Sequence, residues 1–169
     1  MLDDIIIRVA NVSEQEDLEA LQWRASLNNQ GDREALLANP DAIMLPLDQI
    51  VAGNVFVAER DGNAIGFAAV IRRTDRQFDL DGLFVEPSIW KSGVGRSLVN
   101  YCCQYARSTG AAILHVIGNP HAKDFYVACG FEIKGEFQTR FGVGLMMQKG
   151  IERTGDGGSD RGPLSQLDR

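Results

Sequence analysis

The stretch Leu83-Phe-Val-Glu-Pro-Ser-Ile-Trp-Lys-Ser-Gly93-Val-Gly95-Arg-Ser-Leu98 decides how this chain is read. Phe78 to Val85, with Phe78 and Phe84 at strand spacing, is a run of strand length that stops at Glu86-Pro87. Gly93-Val-Gly95 then opens a helix reaching about Arg107, with Val94, Leu98, Cys102 and Tyr105 on one face. Glycines at such a turn let the backbone bend tightly and leave successive N–H groups uncovered. The positive end of the helix dipole adds to them, so the turn suits a phosphate or diphosphate. Lys91 and Arg96 bring further positive charge beside it. Two other phosphate loops are excluded on detail. Gly93-Val-Gly95-Arg-Ser-Leu98 lacks the third glycine of a dinucleotide fingerprint, and no Gly-Lys-Ser/Thr ending is present.

Working outward, the N-terminal side begins with a short strand at Ile5–Ala10. The Ser13-Glu-Gln-Glu16 pattern fits a capping box opening a helix over about 13–28, with Leu18, Leu21 and Ala25 at helical spacing. Asn28-Asn-Gln-Gly31 breaks it, and a less regular helical region runs from Asp32 towards Ile50 past Pro40 and Pro46. Strands at 55–59 and 64–72 flank Arg60-Asp-Gly-Asn63, a hairpin signal. On the other side, Ala111–Ile117 reads as a buried strand. Asn119-Pro120 starts a further helix with asparagine at its N-cap, stopping at Gly130. Two strands, 131–137 and 141–148, close the fold. Residues 1–149 thus form one domain, and the polar, glycine-rich 150–169 reads as a flexible tail.

The composition sets bounds. A chain of 169 residues with 44% hydrophobic and 24% charged residues is an ordinary globular domain. Its formal charge of −6 argues against nucleic-acid or anionic-membrane partners and suits a cationic one. Ile5-Ile-Ile is too short for a signal core or a membrane span. Three cysteines, two of them adjacent, give no disulfide framework, which points to a cytoplasmic protein. Two histidines, His115 and His121, and no Cys-x-x-Cys pair leave no ligand set for a metal. Cys102, Cys103 and Cys129 read as packing residues, and His115 as a core histidine.

A second constellation, Asn119-Pro-His-Ala122-Lys-Asp-Phe125-Tyr126-Val-Ala-Cys-Gly130-Phe131, follows one strand after the glycine turn. With both in order, the chain resembles the GNAT superfamily of N-acetyltransferases. One signature of that family, Gln/Arg-x-x-Gly-x-Gly/Ala at a helix start, is matched at Gly93 and Gly95, with Trp90 in place of Gln or Arg. The other, Asn-x-x-Ala-x-x-Phe-Tyr-x-x-x-Gly-Phe, is matched at Asn119, Ala122, Phe125, Tyr126, Gly130 and Phe131. The resemblance implies a three-layer α/β fold, a mixed sheet of about seven strands with helices on both faces. It implies acetyl-CoA as co-substrate, bound where strands 78–86 and 111–117 splay apart. Amides of Lys91, Ser92, Gly93, Val94, Gly95 and Arg96 would hold the diphosphate, and the backbone at Phe84 and Val85 would pair with the pantetheine arm. Asn119, Ala122 and Phe125 would line the other side.

The implied activity is acetylation of a primary amine, on a small molecule or a peptide, by direct attack on the thioester. The alternative is a non-catalytic acyl-CoA-binding or sensing module. Acyl transfer to an amine needs a base, donors for the developing oxyanion and an acid for the thiolate. The family places a tyrosine near the sulfur, which makes Tyr126 the acid. Asp79, Asp81 and Glu86 compete as base. Strand alternation sets the two aspartates on one face and Glu86 on the other, and Asp81 is favoured as nearest the point where the strands part. The Val85 N–H would serve the oxyanion. Trp23, Arg24, Asn28, Arg140 and Phe141 are candidates for the acceptor wall. The two arginines suit an acceptor carboxylate, whereas the net charge suits a polyamine or aminoglycoside. The final strands could mediate a homodimer, as in relatives.

Overall fold

A computed structural model describes residues 4–28, 32–74 and 76–152. Its sheet has seven strands: β1 (Ile6–Val9), β2 (Val55–Arg60), β3 (Asn63–Thr74), β4 (Gln77–Val85), β5 (Ile113–Gly118), β6 (Glu132–Thr139) and β7 (Gly142–Gly150). They lie in the order β1-β2-β3-β4-β5-β7-β6. Every neighbouring pair is antiparallel except β4 and β5. The hairpin between β2 and β3 turns at Asp61 (φ +52°) and Gly62 (φ +81°), the left-handed pair that an Asp-Gly turn supplies.

Helices cover both faces. On one, α1 (Gln15–Leu27) and α3 (Leu47–Val51) set Leu18, Leu21 and Ile50 against Val55, Val57, Phe67 and Ala69. On the other, α4 (Val94–Ser108) sets Val94, Leu98, Val99 and Cys102 against Phe56, Ala58, Ala68, Val70 and Phe78. Alternate residues of β2 enter opposite cores, so the strand is apolar throughout rather than alternating. The short α2 (Arg33–Ala38) and α5 (Lys123–Ala128) complete the layers. No described helix is long and apolar enough to cross a membrane.

Several boundaries differ from the sequence reading for local reasons. The cap of the first helix lies two residues upstream, where Glu14 accepts from the Asn11 N–H at 2.8 Å. Arg8 holds both Glu14 oxygens at 2.9 and 2.7 Å, which fixes that choice over Ser13 and Glu16. A 3₁₀ turn at Val12–Glu14 therefore precedes α1. Likewise Pro120–Ala122 is a 3₁₀ turn and α5 begins at Lys123. At the C-terminal end β7 runs through Gly150, and Ile151 is buried, so the packed domain extends past 149. Residues 153–169 of the expected tail lie outside the described residues.

Two features of β4 make the site. It pairs with β5 only over Gln77–Asp79 with Ile113–His115, and beyond that the parallel strands separate. Against β3, Gly82 pairs with Ala69 and Leu80 with Val70, which leaves Asp81 as an extra residue in a bulge. The bulge resets the alternation. Phe78 and Leu80 before it, and Leu83 and Val85 after it, all face the α4 core, while Phe84 packs towards α1.

Candidate active site

The turn after β4 is built by specific backbone angles. The Glu86 N–H donates to the Ile65 carbonyl at 2.9 Å and ends the pairing with β3. A 3₁₀ turn follows at Pro87–Ile89, then Lys91 at φ +68° and Gly93 at φ +97°. Gly93 is glycine for that angle. Gly95 is glycine for space: a Cβ there would lie 3.1 Å from the Phe125 ring. Ser97 is the first α4 amide with an intrahelical acceptor, the Gly93 carbonyl at 3.0 Å, and no side chain caps the helix start. The N–H groups from Gly93 to Arg96 therefore converge without partners among the described residues, as an anion site requires. Ser92 differs, since its N–H reaches the Ile89 carbonyl at 3.3 Å. Lys91 is exposed. Arg96 turns away and donates to the Ala128 carbonyl at 2.7 Å.

Along the gap, antiparallel alternation decides which backbone groups are free. Because Glu86 bonds to Ile65, Phe84 directs its N–H and C=O to β3, and Leu83 and Val85 direct theirs away from it. The Val85 carbonyl accepts from Trp90 Nε1 at 2.7 Å. The Val85 N–H faces the same side.

Opposite lies the second constellation. Asn119 accepts from the His121 N–H at 2.8 Å and donates to Asp32 Oδ2 at 2.8 Å. Asp32 stands at the N-cap of α2 without capping it, its carboxylate drawn instead to the end of β5. Ala122 and Phe125 pack on the α4 core. Tyr126 is buried, with its ring edge-on to Phe125 (5.1 Å) and Phe131 (5.5 Å) and tight against Gly118, where a Cβ would come 3.2 Å from it. Burial pushes its hydroxyl well above the ordinary tyrosine value, so it stays protonated.

The three carboxylates share one face, a correction that follows from the bulge. Asp79 pairs with Arg73 at 2.8 Å. Glu86 takes both arms of Arg24 on α1 at 2.8 and 2.7 Å, and those hydrogen bonds hold its carboxyl below the usual glutamate value. Asp81 is exposed and accepts a long hydrogen bond from Gln49 Nε2 on α3 at 3.3 Å. Of the expected acceptor wall, Asn28 donates to the Arg24 carbonyl and Trp23 is half-buried. Arg140 lies 4.0 Å from Asp41 and stacks over Phe141. His115 is half-buried with Nε2 2.8 Å from Gln77 Oε1, and burial lowers its pKa. The three thiols are buried and pushed upward by that burial. Among the described residues no three His, Cys, Asp or Glu side chains gather as metal ligands.

Sequence reading missed Asp32, Gln49 and the Trp90 bond. The first two arrive from residues 87 and 32 positions away and leave no local signal.

Comparison with known proteins bears on this geometry. A model of the acetyltransferase (GNAT) family matches residues 16–131. An uncharacterized N-acetyltransferase of Mycobacterium tuberculosis (strain H37Rv) is 30% identical over 92 residues, 53% of this chain and 59% of that protein. The match thus spans less than two thirds of that relative. Among solved structures, Ard1 of Thermoplasma volcanium superposes with a TM-score of 0.69 at 15% identity, covering 87% of this chain and 97% of that one. The PaiA N-acetyltransferase of Thermoplasma acidophilum, solved in complex with coenzyme A, gives 0.68 at 17%, covering 86% and 98%. At these identities the likeness is one of fold.

Proposed function

This chain belongs to the acetyltransferase (GNAT) family, and from that premise we propose that it transfers an acetyl group from acetyl-CoA to a primary amine. The observation that carries the reading is the start of α4, where left-handed Gly93 (φ +97°) is followed by amides without described partners, set beside two parallel strands that separate. Bare amides at a helix start fit a diphosphate, and the free edge of β4 fits an amide-bearing arm laid along it as an added strand. Bound acetyl-CoA supplies an activated carbonyl and a thiolate leaving group.

The chain's own groups have distinct tasks. Gly93 to Arg96 hold the diphosphate through their N–H groups, with Lys91 near. The Val85 N–H donates to the carbonyl oxygen as negative charge develops there. Asp81, exposed and only weakly held, takes the proton from the acceptor ammonium, directly or through water. Tyr126, uncharged because burial raises its pKa, gives its proton to the departing sulfur and is restored by the second proton that the amine nitrogen loses as the amide forms. Asn119, Ala122 and Phe125 wall the other side. Asp79 and Glu86 are less suited as bases because arginines already neutralise them.

The acceptor is a cationic amine. Arg24 is spent on Glu86 and Arg140 is shared with Asp41, whereas Asp81 stays available and the chain carries −6. A screen of amines with acetyl-CoA, following thiol release, tests the activity, and polyamines should turn over before amino acids. CoA binding without thiol release from any amine would favour the sensing module instead.

A further inference from the structure

We propose that Trp90 competes with coenzyme A for the free edge of β4 and thereby sets how tightly and how fast the coenzyme binds. The inference rests on the coenzyme reading above. Trp90 Nε1 donates to the Val85 carbonyl at 2.7 Å. The 3₁₀ turn Pro87–Ile89, followed by an extended Trp90 (φ −56°, ψ 147°), returns the indole over the end of β4. Trp90 is nevertheless 41% exposed, so packing holds it only in part.

Val85 is the last residue of β4, and alternation turns its carbonyl towards the gap. An amide arm pairing along this edge has to bring its own N–H to that oxygen. Indole N–H is a donor only, so Trp90 and the arm offer the same group to the same acceptor. The carbonyl can accept twice, so the conflict is one of space: with Nε1 2.7 Å from the oxygen, the indole lies across the approach that the arm's N–H would use. Release of the indole therefore accompanies pairing of the arm. Trp90 stands where the chain departs from the Gln or Arg of the family signature, so this competition belongs to the substituted side chain and not to the shared backbone.

The test uses the full chain with coenzyme A as the probe. Trp23 is the other tryptophan, so the difference in emission between wild type and Trp90→Phe isolates the Trp90 signal. Coenzyme A should shift that emission to the red as the ring moves into water. Trp90→Phe keeps the aromatic ring and lacks the N–H. It should bind coenzyme A about two- to tenfold tighter, the worth of one net hydrogen bond, mostly through faster association. Equal or weaker binding by Trp90→Phe, or an unchanged Trp90 emission while the melting temperature rises, overturns the proposal and leaves the coenzyme reading standing. No melting shift with coenzyme A in either protein overturns both.

Discussion

Two helix ends in this molecule are treated in opposite ways. At the start of α4 no side chain caps the helix and the amides from Gly93 to Arg96 have no described partner. At the end of α5 the carbonyls are heavily served: Arg96 donates to that of Ala128, and Lys149 donates to that of Cys129. Arg96 belongs to both stories. It sits in the first turn of α4, where the helix dipole disfavours a cation, and it resolves this by bonding to the negative end of another helix. A missing side-chain cap is common to α2, α3, α4 and α5; what sets the start of α4 apart is the left-handed Gly93 and four successive amides with no described partner.

Substitutions can break or sharpen that contrast. Gly93→Glu should have the largest effect, because it forces a side chain into φ +97° and places a carboxylate at the anion site. The rise in melting temperature with coenzyme A should vanish. In wild type, ligand at a hundredfold excess over Kd stabilises by about 2.7 kcal/mol. Tyr126→Phe comes next, with kcat lowered about 100-fold and the coenzyme-dependent melting shift retained. If kcat is unchanged, the hydroxyl is a packing group only. The Tyr126 hydroxyl titrates above its ordinary value, so its ionisation should not produce an alkaline loss of activity below about pH 10.

Arg96→Ala separates the two ends directly. Denaturant unfolding should show a loss of about 1 kcal/mol from the α5 end, with coenzyme affinity changed by less than about threefold. A much larger loss of affinity would mean that Arg96 leaves Ala128 for the phosphates. Smallest is Glu86→Gln, which breaks the exposed pair with Arg24 and should cost less than about 1 kcal/mol. The folded Glu86 pKa is depressed, so this contribution is present above the ordinary glutamate value and is lost as pH falls through the folded value. Unfolding curves for wild type and variant should therefore converge in acid.

Much of this was legible beforehand. Asp61-Gly62 announced its hairpin, the face of Val94, Leu98 and Cys102 announced α4, and Gly93-Val-Gly95 announced where that helix starts. These are local signals, carried by backbone preference and periodicity. The bulge at Asp81 was not legible, because an extra residue in one strand has meaning only against its partner in β3. That one residue reversed the expected placement of Glu86 and brought three carboxylates to the same face. The pairing of Arg24 with Glu86 and of Asp32 with Asn119 joins residues 62 and 87 positions apart, and no pattern within either segment encodes it.

The sequence by itself determined the elements, their order and the bare glycine turn, since φ preferences, apolar spacing and missing side chains act within a few residues. Tertiary structure alone decided which of the three carboxylates pair with arginines, which strand edge is open and what Trp90 holds. Those outcomes depend on strand register and on partners from distant elements, and such contacts come into existence only when the sheet is assembled.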